Sequence, residues 1–180
     1  MSIYEFKVQD MHGREFLLDE YRGKVLLVVN TATECGFTPH YGELERLHRE
    51  YKDRGLVILD FPSNQFKQAP GTVEEIHAFC SGRFGVTFLP LAKVEVAGPN
   101  AHPLFAYLTA HTQFAGFDTT HPIGPRLDAK LRAADPNYHL TPEVKWNFTK
   151  FLIDRQGTIV GRYEPTFDIS ALETIIRGVL

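Results

Sequence analysis

Two largely apolar runs shape the first third of the chain: Lys24–Val29, and Leu56-Val57-Ile58-Leu59-Asp60-Phe61. Neither alternates with polar positions, the pattern of strands buried on both faces. Between them Tyr41, Leu44, Leu47 and Tyr51 recur at helical spacing from about Pro39 to Lys52, with Gly55 as the stop. Strand, helix and strand in that order predict a βαβ unit with a parallel pair. Upstream, Tyr4–Val8 and Arg14–Leu18 flank Gln9-Asp10-Met11-His12-Gly13 and predict a hairpin within residues 1–20. Downstream, Thr72-Val73-Glu74-Glu75 has the capping-box pattern and opens a helix carrying Ile76, Phe79 and Cys80 on one side. Lys93–Val96 predicts a short strand and His102–Ala110 a helix. Phe148–Asp154 and Thr158–Tyr163, joined by Arg155-Gln156-Gly157, predict an antiparallel hairpin, and a last helix spans about Ser170 to Gly178.

A βαβ half followed by a ββα half predicts an α/β protein of thioredoxin-like arrangement. Its mixed central sheet is flanked by helices, and the N-terminal β-hairpin is an appendage. With 180 residues, 43% of them hydrophobic, one domain over 1–180 can bury a full core without disulfide or metal. Residues 111–143 fit least well. Pro and Gly break any period there, yet Phe114, Phe117, Leu127, Leu131, Tyr138 and Leu140 are too apolar for a solvated linker. This long inserted segment must bury those side chains somewhere.

A net charge of −3, with lysines and arginines scattered among acids, leaves no electrostatic footprint for nucleic acid. No stretch approaches the roughly 20 apolar residues that span a bilayer, and the first residues lack a basic start. These features predict a soluble, cytoplasmic protein with no stable membrane insertion. In a reducing compartment two cysteines do not form a lasting structural bridge, so they point to chemistry or to nothing. The eight histidines show no metal-ligand spacing, so no metal or other cofactor is expected.

Cys35 stands out. It lies in Val28-Val29-Asn30-Thr31-Ala32-Thr33-Glu34-Cys35-Gly36-Phe37-Thr38-Pro39, where a buried strand breaks into a helix start. Thr38 is placed to cap that helix and Pro39 to sit in its first turn. A sulfur just before free helix N–H groups has its anion favoured by the helix dipole, and the thiolate is the nucleophile. The alternative is an inert, buried cysteine. Cys35-Gly36-Phe37-Thr38 occupies the place of a Cys-x-x-Cys motif but ends in Thr38, which disfavours a dithiol oxidoreductase. Acyl transfer would need His40 or His77 as base, and nothing in the sequence orients either.

Loops after two parallel strands lie at the same sheet edge, where open α/β sheets place ligands. Cys35 follows the first strand, and Phe61-Pro62-Ser63-Asn64-Gln65-Phe66 follows the second. If the strand Phe148–Asp154 runs antiparallel to both, its start, Val144-Lys145-Trp146-Asn147-Phe148, lies there too. Each segment brings a neutral donor to the sulfur: the Gln65 amide, the Trp146 indole N–H and the Asn147 amide. Neutral donors stabilise a thiolate and a departing oxygen without a fixed ion pair, which suits attack on an O–O bond. Taken singly, Trp146 reads equally as a core aromatic, and Asn64 and Gln65 as turn residues.

Together the segments resemble the glutathione peroxidase family over nearly the whole chain. The resemblance is carried by the Cys35 segment, Phe61–Phe66, Phe79-Cys80-Ser81-Gly82-Arg83-Phe84-Gly85-Val86-Thr87-Phe88, and Trp146-Asn147-Phe148-Thr149-Lys150-Phe151-Leu152. It implies a thioredoxin fold and a cysteine-type peroxidase whose catalytic set is Cys35, Gln65, Trp146 and Asn147. It also implies that Cys80 resolves oxidised Cys35, with thioredoxin or glutathione re-reducing the enzyme. Departures are Ser63 in place of a common cysteine, and Phe66-Lys67-Gln68-Ala69-Pro70-Gly71, one residue short, with Ala69 where glutamate is common. Leu89-Pro90 replaces a common Phe-Pro. Longer family members use the region of 111–143 for subunit contacts and as one wall of the active-site mouth. That implies either a homo-oligomer through 111–143 or a rim that favours small hydroperoxides. A peroxide sensor that passes oxidation from Cys35 to a partner protein is the other use of the same chemistry.

Overall fold

The computed structural model describes residues 2–180. Its strands are β1 (Lys7–Gln9), β2 (Glu15–Leu17), β3 (Val25–Thr31), β4 (Leu56–Pro62), β5 (Lys150–Ile153) and β6 (Ile159–Tyr163). Its helices are α1 (His40–Tyr51), α2 (Val73–Phe84), α3 (Pro103–Ala110), α4 (Gly124–Ala134) and α5 (Ile169–Val179). The main sheet has the order β4-β3-β5-β6, and β1 and β2 form a separate antiparallel hairpin. β3 runs parallel to β4 and antiparallel to β5. This is the thioredoxin-like arrangement of mixed sheet and flanking helices.

All seven residues of β3 are buried, as an unbroken apolar run in a central strand requires. Alternate side chains divide the core between the two faces. Val25, Leu27 and Val29 pack with Leu44 and Leu47 of α1, Ile76 and Cys80 of α2, and Leu172 and Ile176 of α5. Leu26 and Val28 pack with Phe151, with Leu104, Phe105 and Leu108 of α3, and with Val8 and Phe16 of the hairpin. The apolar run specifies β3 more firmly than any local propensity, because each face has a layer to bury against.

Several elements depart from the sequence pattern. Tyr4 lies in a 3-10 turn, Ile3–Glu5, so the hairpin begins only at Lys7. Lys93–Val96 forms no ladder. Instead Leu91 and Val94 donate single backbone bonds to Asp60 O (2.8 Å) and Pro62 O (3.1 Å), leaving an extended strap along the edge of β4. The segment 111–143 contains an eleven-residue helix, α4, that its prolines and glycines obscured. Pro125 falls in the first turn, where a missing N–H costs nothing. Leu127 and Leu131 then turn the same face toward the core.

Two ionisable side chains sit under the sheet. Asp60 and Lys150 lie opposite Val29 on its two sides. Asp60 accepts from Thr31 Oγ1 at 2.5 Å, and burial pushes its carboxyl up to about 7. The folded state therefore holds a proton that the unfolded chain releases above its ordinary value of 3.8. That contribution favours folding fully below the unfolded value and is lost as pH rises through about 7. Asp60→Asn keeps an acceptor for Thr31 and removes the charge. Its melting temperature is expected to gain on the wild type progressively from about pH 4 to 7 and then to hold a constant lead. A difference independent of pH, followed by circular dichroism, would mean that Asp60 is not protonated in the fold.

Candidate active site

The edge of the sheet at the C-terminal ends of β3 and β4 gathers three segments, stitched together by backbone and amide bonds. Phe148 N–H donates to Asn30 O at 2.6 Å, and Asn30 Nδ2 donates to Trp146 O at 3.1 Å. Thr33 and Glu34 N–H both donate to Gln68 O, at 3.1 and 2.9 Å. Asn147 Nδ2 donates to Gln68 Oε1 at 2.9 Å. The loops after β3 and β4 and the start of β5 thus meet as one unit.

Cys35 is buried, with 8% of its surface exposed, and packs in the same apolar cluster as Phe37, Ala69, Leu127 and Trp146. Its Sγ accepts the Phe37 N–H at 3.4 Å. Thr38 does not cap α1. Its Oγ1 accepts from Cys35 N–H and donates to Ala32 O, both at 3.0 Å, which closes the thiol loop on itself. The Thr38 hydroxyl is engaged within its own loop, and α1 begins at His40 without a side-chain cap.

Trp146 and Asn147 reach the Cys35 edge, and Gln65 does not. Gln65 Oε1 accepts from Val96 and Ala97 N–H, at 3.1 and 3.3 Å, and its side chain lines a different groove beside Lys93 and Glu95. Gln65 is therefore a brace for the strap along β4. The amide that joins Asn147 is that of Gln68, a residue the sequence pattern did not single out. Lys67 adopts a left-handed conformation with φ 58°, its N–H donating to Asn64 O, while Asn64 Oδ1 accepts from Ala69 N–H. This tight turn swings Gln68 back toward the thiol loop. Lys93 Nζ holds the far side of the loop through Ala69 O and Gly71 O, both at 2.7 Å.

Phe148 also has a positive φ, 65°, and is fully buried. A bulky residue in that region is strained, and such strain persists only where its surroundings over-determine it. Here Asn30 holds the backbone on one side, and Lys150 Nζ donates to Phe148 O at 2.7 Å on the other. The turn fixes Trp146 and Asn147 immediately before it. The Trp146 indole lies 5.2 Å from the Phe66 ring, and its N–H has no protein acceptor among the described residues. Asn147 Oδ1 is buried without a donor. The edge therefore holds open hydrogen-bonding capacity beside the thiol.

His40 is not a base for Cys35. Its Nδ1 faces Lys150 Nζ at 3.2 Å, and burial, then the Lys150 charge, push the ring down to about 3. A ring so weakly basic is a poor proton acceptor at neutral pH. Among the described residues no three His, Cys, Asp or Glu side chains gather to hold a metal ion, and no helix is long and apolar enough to cross a membrane.

Cys80 lies in α2 and is 2% exposed, and both cysteines are free thiols. Burial pushes the Cys80 thiol up to about 12, and the nearby Asp60 carboxyl adds to the shift. Tyr41 OH stands beside both without a hydrogen bond of good geometry. Cys80 is inert where it sits. Its helix is shallowly held: of twelve residues only Ile76 and Cys80 are buried, and the N-terminus rests on the Thr72 and Glu75 capping box.

A strained turn placing Trp and Asn beside a loop-held thiol, on a thioredoxin-like sheet, defines a thiol-bearing redox protein. The glutathione peroxidase family model matches residues 3–109. The glutathione peroxidase homolog BsaA of Bacillus subtilis is 44% identical over 181 residues, spanning 100% of this chain and 99% of that protein. The hydroperoxy fatty acid reductase gpx1 of Synechocystis is 47% identical over 163 residues, 90% of this chain and 86% of that protein. The crystal structure of T. cruzi GPX1 superposes with a TM-score of 0.70 at 31% identity, covering 99% of this chain and 96% of that one. A thioredoxin-family thiol:disulfide interchange protein from Chlorobium tepidum shares the fold at 13% identity, with a TM-score of 0.61. The chain belongs to the glutathione peroxidase family. It is a peroxidase, an oxidoreductase acting on peroxide.

Proposed function

We propose that the protein is a two-cysteine thiol peroxidase for hydrogen peroxide and organic hydroperoxides. The observation that carries this reading is the loop-held Cys35, sharing one edge with Trp146 and the Asn147–Gln68 amide pair. Cys35 thiolate attacks the terminal oxygen of the hydroperoxide. The S–O bond forms as the O–O bond breaks, leaving a sulfenic acid while the departing alkoxide or hydroxide takes up a proton. Neutral N–H donors at the edge steady the thiolate and the departing oxygen, and a site with little water makes each worth more than in solution.

Cys80 thiol then condenses with the sulfenic acid, giving the Cys35–Cys80 disulfide and water. An external dithiol of the thioredoxin kind, or glutathione, reduces the bridge by thiol–disulfide exchange. Cys80 must leave its apolar pocket first, so α2 has to open locally, and its two-residue anchorage makes that opening cheap. One equivalent of hydrogen peroxide is expected to produce the Cys35–Cys80 disulfide, read by peptide mapping, together with loss of amide protection over 72–84. Overoxidised Cys35 with Cys80 still free would reduce the mechanism to one cysteine. An NADPH-coupled assay comparing thioredoxin with glutathione identifies the reductant.

A further inference from the structure

The stretch that carries Trp146 and Asn147 to the thiol edge, residues 142–149, is fastened from β6 at both of its ends. Arg162 of β6 and Glu164 just beyond it form a buried ion pair, with side chains 2% and 7% exposed and Arg162 Nε 2.6 Å from Glu164 Oε1. The guanidinium also donates from Nη1 to Pro142 O and from Nη2 to Glu143 O, the latter at 3.1 Å. It thereby grips the stretch where it enters the edge. The second carboxyl oxygen reaches the exit: Glu164 Oε2 lies 3.2 Å from Thr149 Oγ1. Thr149 is fully buried, and its Oγ1 is in turn 3.0 Å from Trp146 O, the carbonyl that Asn30 Nδ2 also holds.

A hydroxyl has one proton to give, and here two buried acceptors compete for it. An ionised Glu164 draws that proton, because hydrogen bonds to a charged acceptor are the stronger ones, and leaves Trp146 O to Asn30 alone. A Glu164 protonated on Oε2 donates to Thr149 instead, which frees the hydroxyl to donate to Trp146 O. Only this second arrangement makes both short contacts hydrogen bonds at once. Burial raises the Glu164 carboxyl above its ordinary value, against the opposing pull of Arg162, Thr149 and Lys150. Lys145 and the Tyr138 hydroxyl also face it, and Asp118 and Asp168 line the same cavity as the pair. A buried ion pair is weak support for a fold, since apolar residues of similar volume often serve as well. Here it secures a carbonyl next to Asn147. We propose that Thr149 is a positioning residue for peroxide reduction, its hydroxyl holding Trp146 O so that Trp146 and Asn147 face Cys35, with the Arg162–Glu164 pair governing whether that hold is made. That role rests on the peroxidase reading of Cys35, Trp146 and Asn147. The turn needs the hold because Phe148 stands at φ 65°, and a strained turn keeps its shape only while its surroundings enforce it.

Thr149→Val removes the hydroxyl at nearly constant shape, and Thr149→Ser keeps it. Stopped-flow fluorescence of Trp146, the single tryptophan, follows oxidation of Cys35 by hydrogen peroxide. The second-order rate constant is expected to fall about tenfold in Thr149→Val and less than about twofold in Thr149→Ser, the scale of a small misplacement of positioned groups. Glu164→Gln presents an amide N–H to Thr149 at every pH while its carbonyl still accepts from Arg162 Nε, so its rate should equal or exceed that of the wild type. This glutamine arm does not depend on valine being tolerated. In a Cys35→Ser background, where the thiol cannot titrate, Trp146 emission should change as pH rises through the Glu164 range and the clasp loosens. Adding Glu164→Gln should abolish that change. Thr149→Val oxidised as fast as the wild type, a loss shared in full by Thr149→Ser, or a Glu164→Gln protein as slow as Thr149→Val would each overturn the proposal. Emission that is flat with pH, or that changes alike with Glu and Gln at 164, would overturn it too. A wild type whose Cys35 is not oxidised by hydrogen peroxide at all would instead sink the peroxidase reading of that thiol, and this role with it.

Discussion

Cys35→Ser is expected to lower peroxide turnover by at least about a thousandfold while leaving the thermal melt close to that of the wild type. Oxygen replaces sulfur with little change of shape, and a serine hydroxyl can still accept the Phe37 N–H that Cys35 Sγ accepts at 3.4 Å. The Thr38 bonds that close the loop are to backbone groups and are untouched. What disappears is the anion, because an alcohol is not ionised at neutral pH and does not take up oxygen from a peroxide. Single-turnover consumption of hydrogen peroxide, with circular dichroism as the folding control, reads the two effects separately. A variant that turns over peroxide faster than free thiol would show that the reacting sulfur is not Cys35.

The second large effect separates two glutamines three residues apart. Gln68→Ala is expected to slow Cys35 oxidation by about a hundredfold, the usual scale for losing a placed donor at a site of developing charge. It also leaves the Asn147 amide without the acceptor it now holds at 2.9 Å. Gln65→Ala should leave that rate nearly unchanged. It removes the acceptor for the Val96 and Ala97 N–H groups and so costs about 1 kcal/mol of stability. Stopped-flow fluorescence from Trp146 gives the oxidation rate, and a denaturant titration gives the stability. If Gln65→Ala slowed oxidation and Gln68→Ala did not, the assignment of the amide pair would be reversed.

The pair of glutamines also shows where the sequence stopped being legible. The runs at Lys24–Val29 and Leu56–Phe61 announced β3 and β4 because burial on both faces leaves few polar positions: Val25–Val29 has none, and β4 has Asp60 alone. Topology then predicted that three segments share one edge, and Trp146 and Asn147 lie there as expected. Loop direction is a different kind of information. Gln65 and Gln68 follow the same strand and have the same chemistry, and only the turn at Lys67, φ 58°, decides which one faces the thiol loop. A lysine gives no cue for a left-handed position that glycine or asparagine would advertise. Thr38 was misleading for a related reason, since its position fits a helix cap and a loop clasp equally well. In 111–143, residue by residue, the prolines and glycines read as breakers, although Leu127 and Leu131 and the Asp128–Arg132 pair carry the i,i+4 signal of α4.

Every step of the proposed cycle depends on Cys35 Sγ being the atom that takes oxygen from the peroxide. The most direct test is to treat the Cys80→Ser protein, in which no second thiol can resolve the product, with one equivalent of hydrogen peroxide in the presence of a sulfenic-acid trap such as dimedone. Peptide mapping by mass spectrometry should find one trap adduct, on Cys35, formed in proportion to the peroxide consumed. Peroxide consumed with Cys35 unmodified would contradict the account.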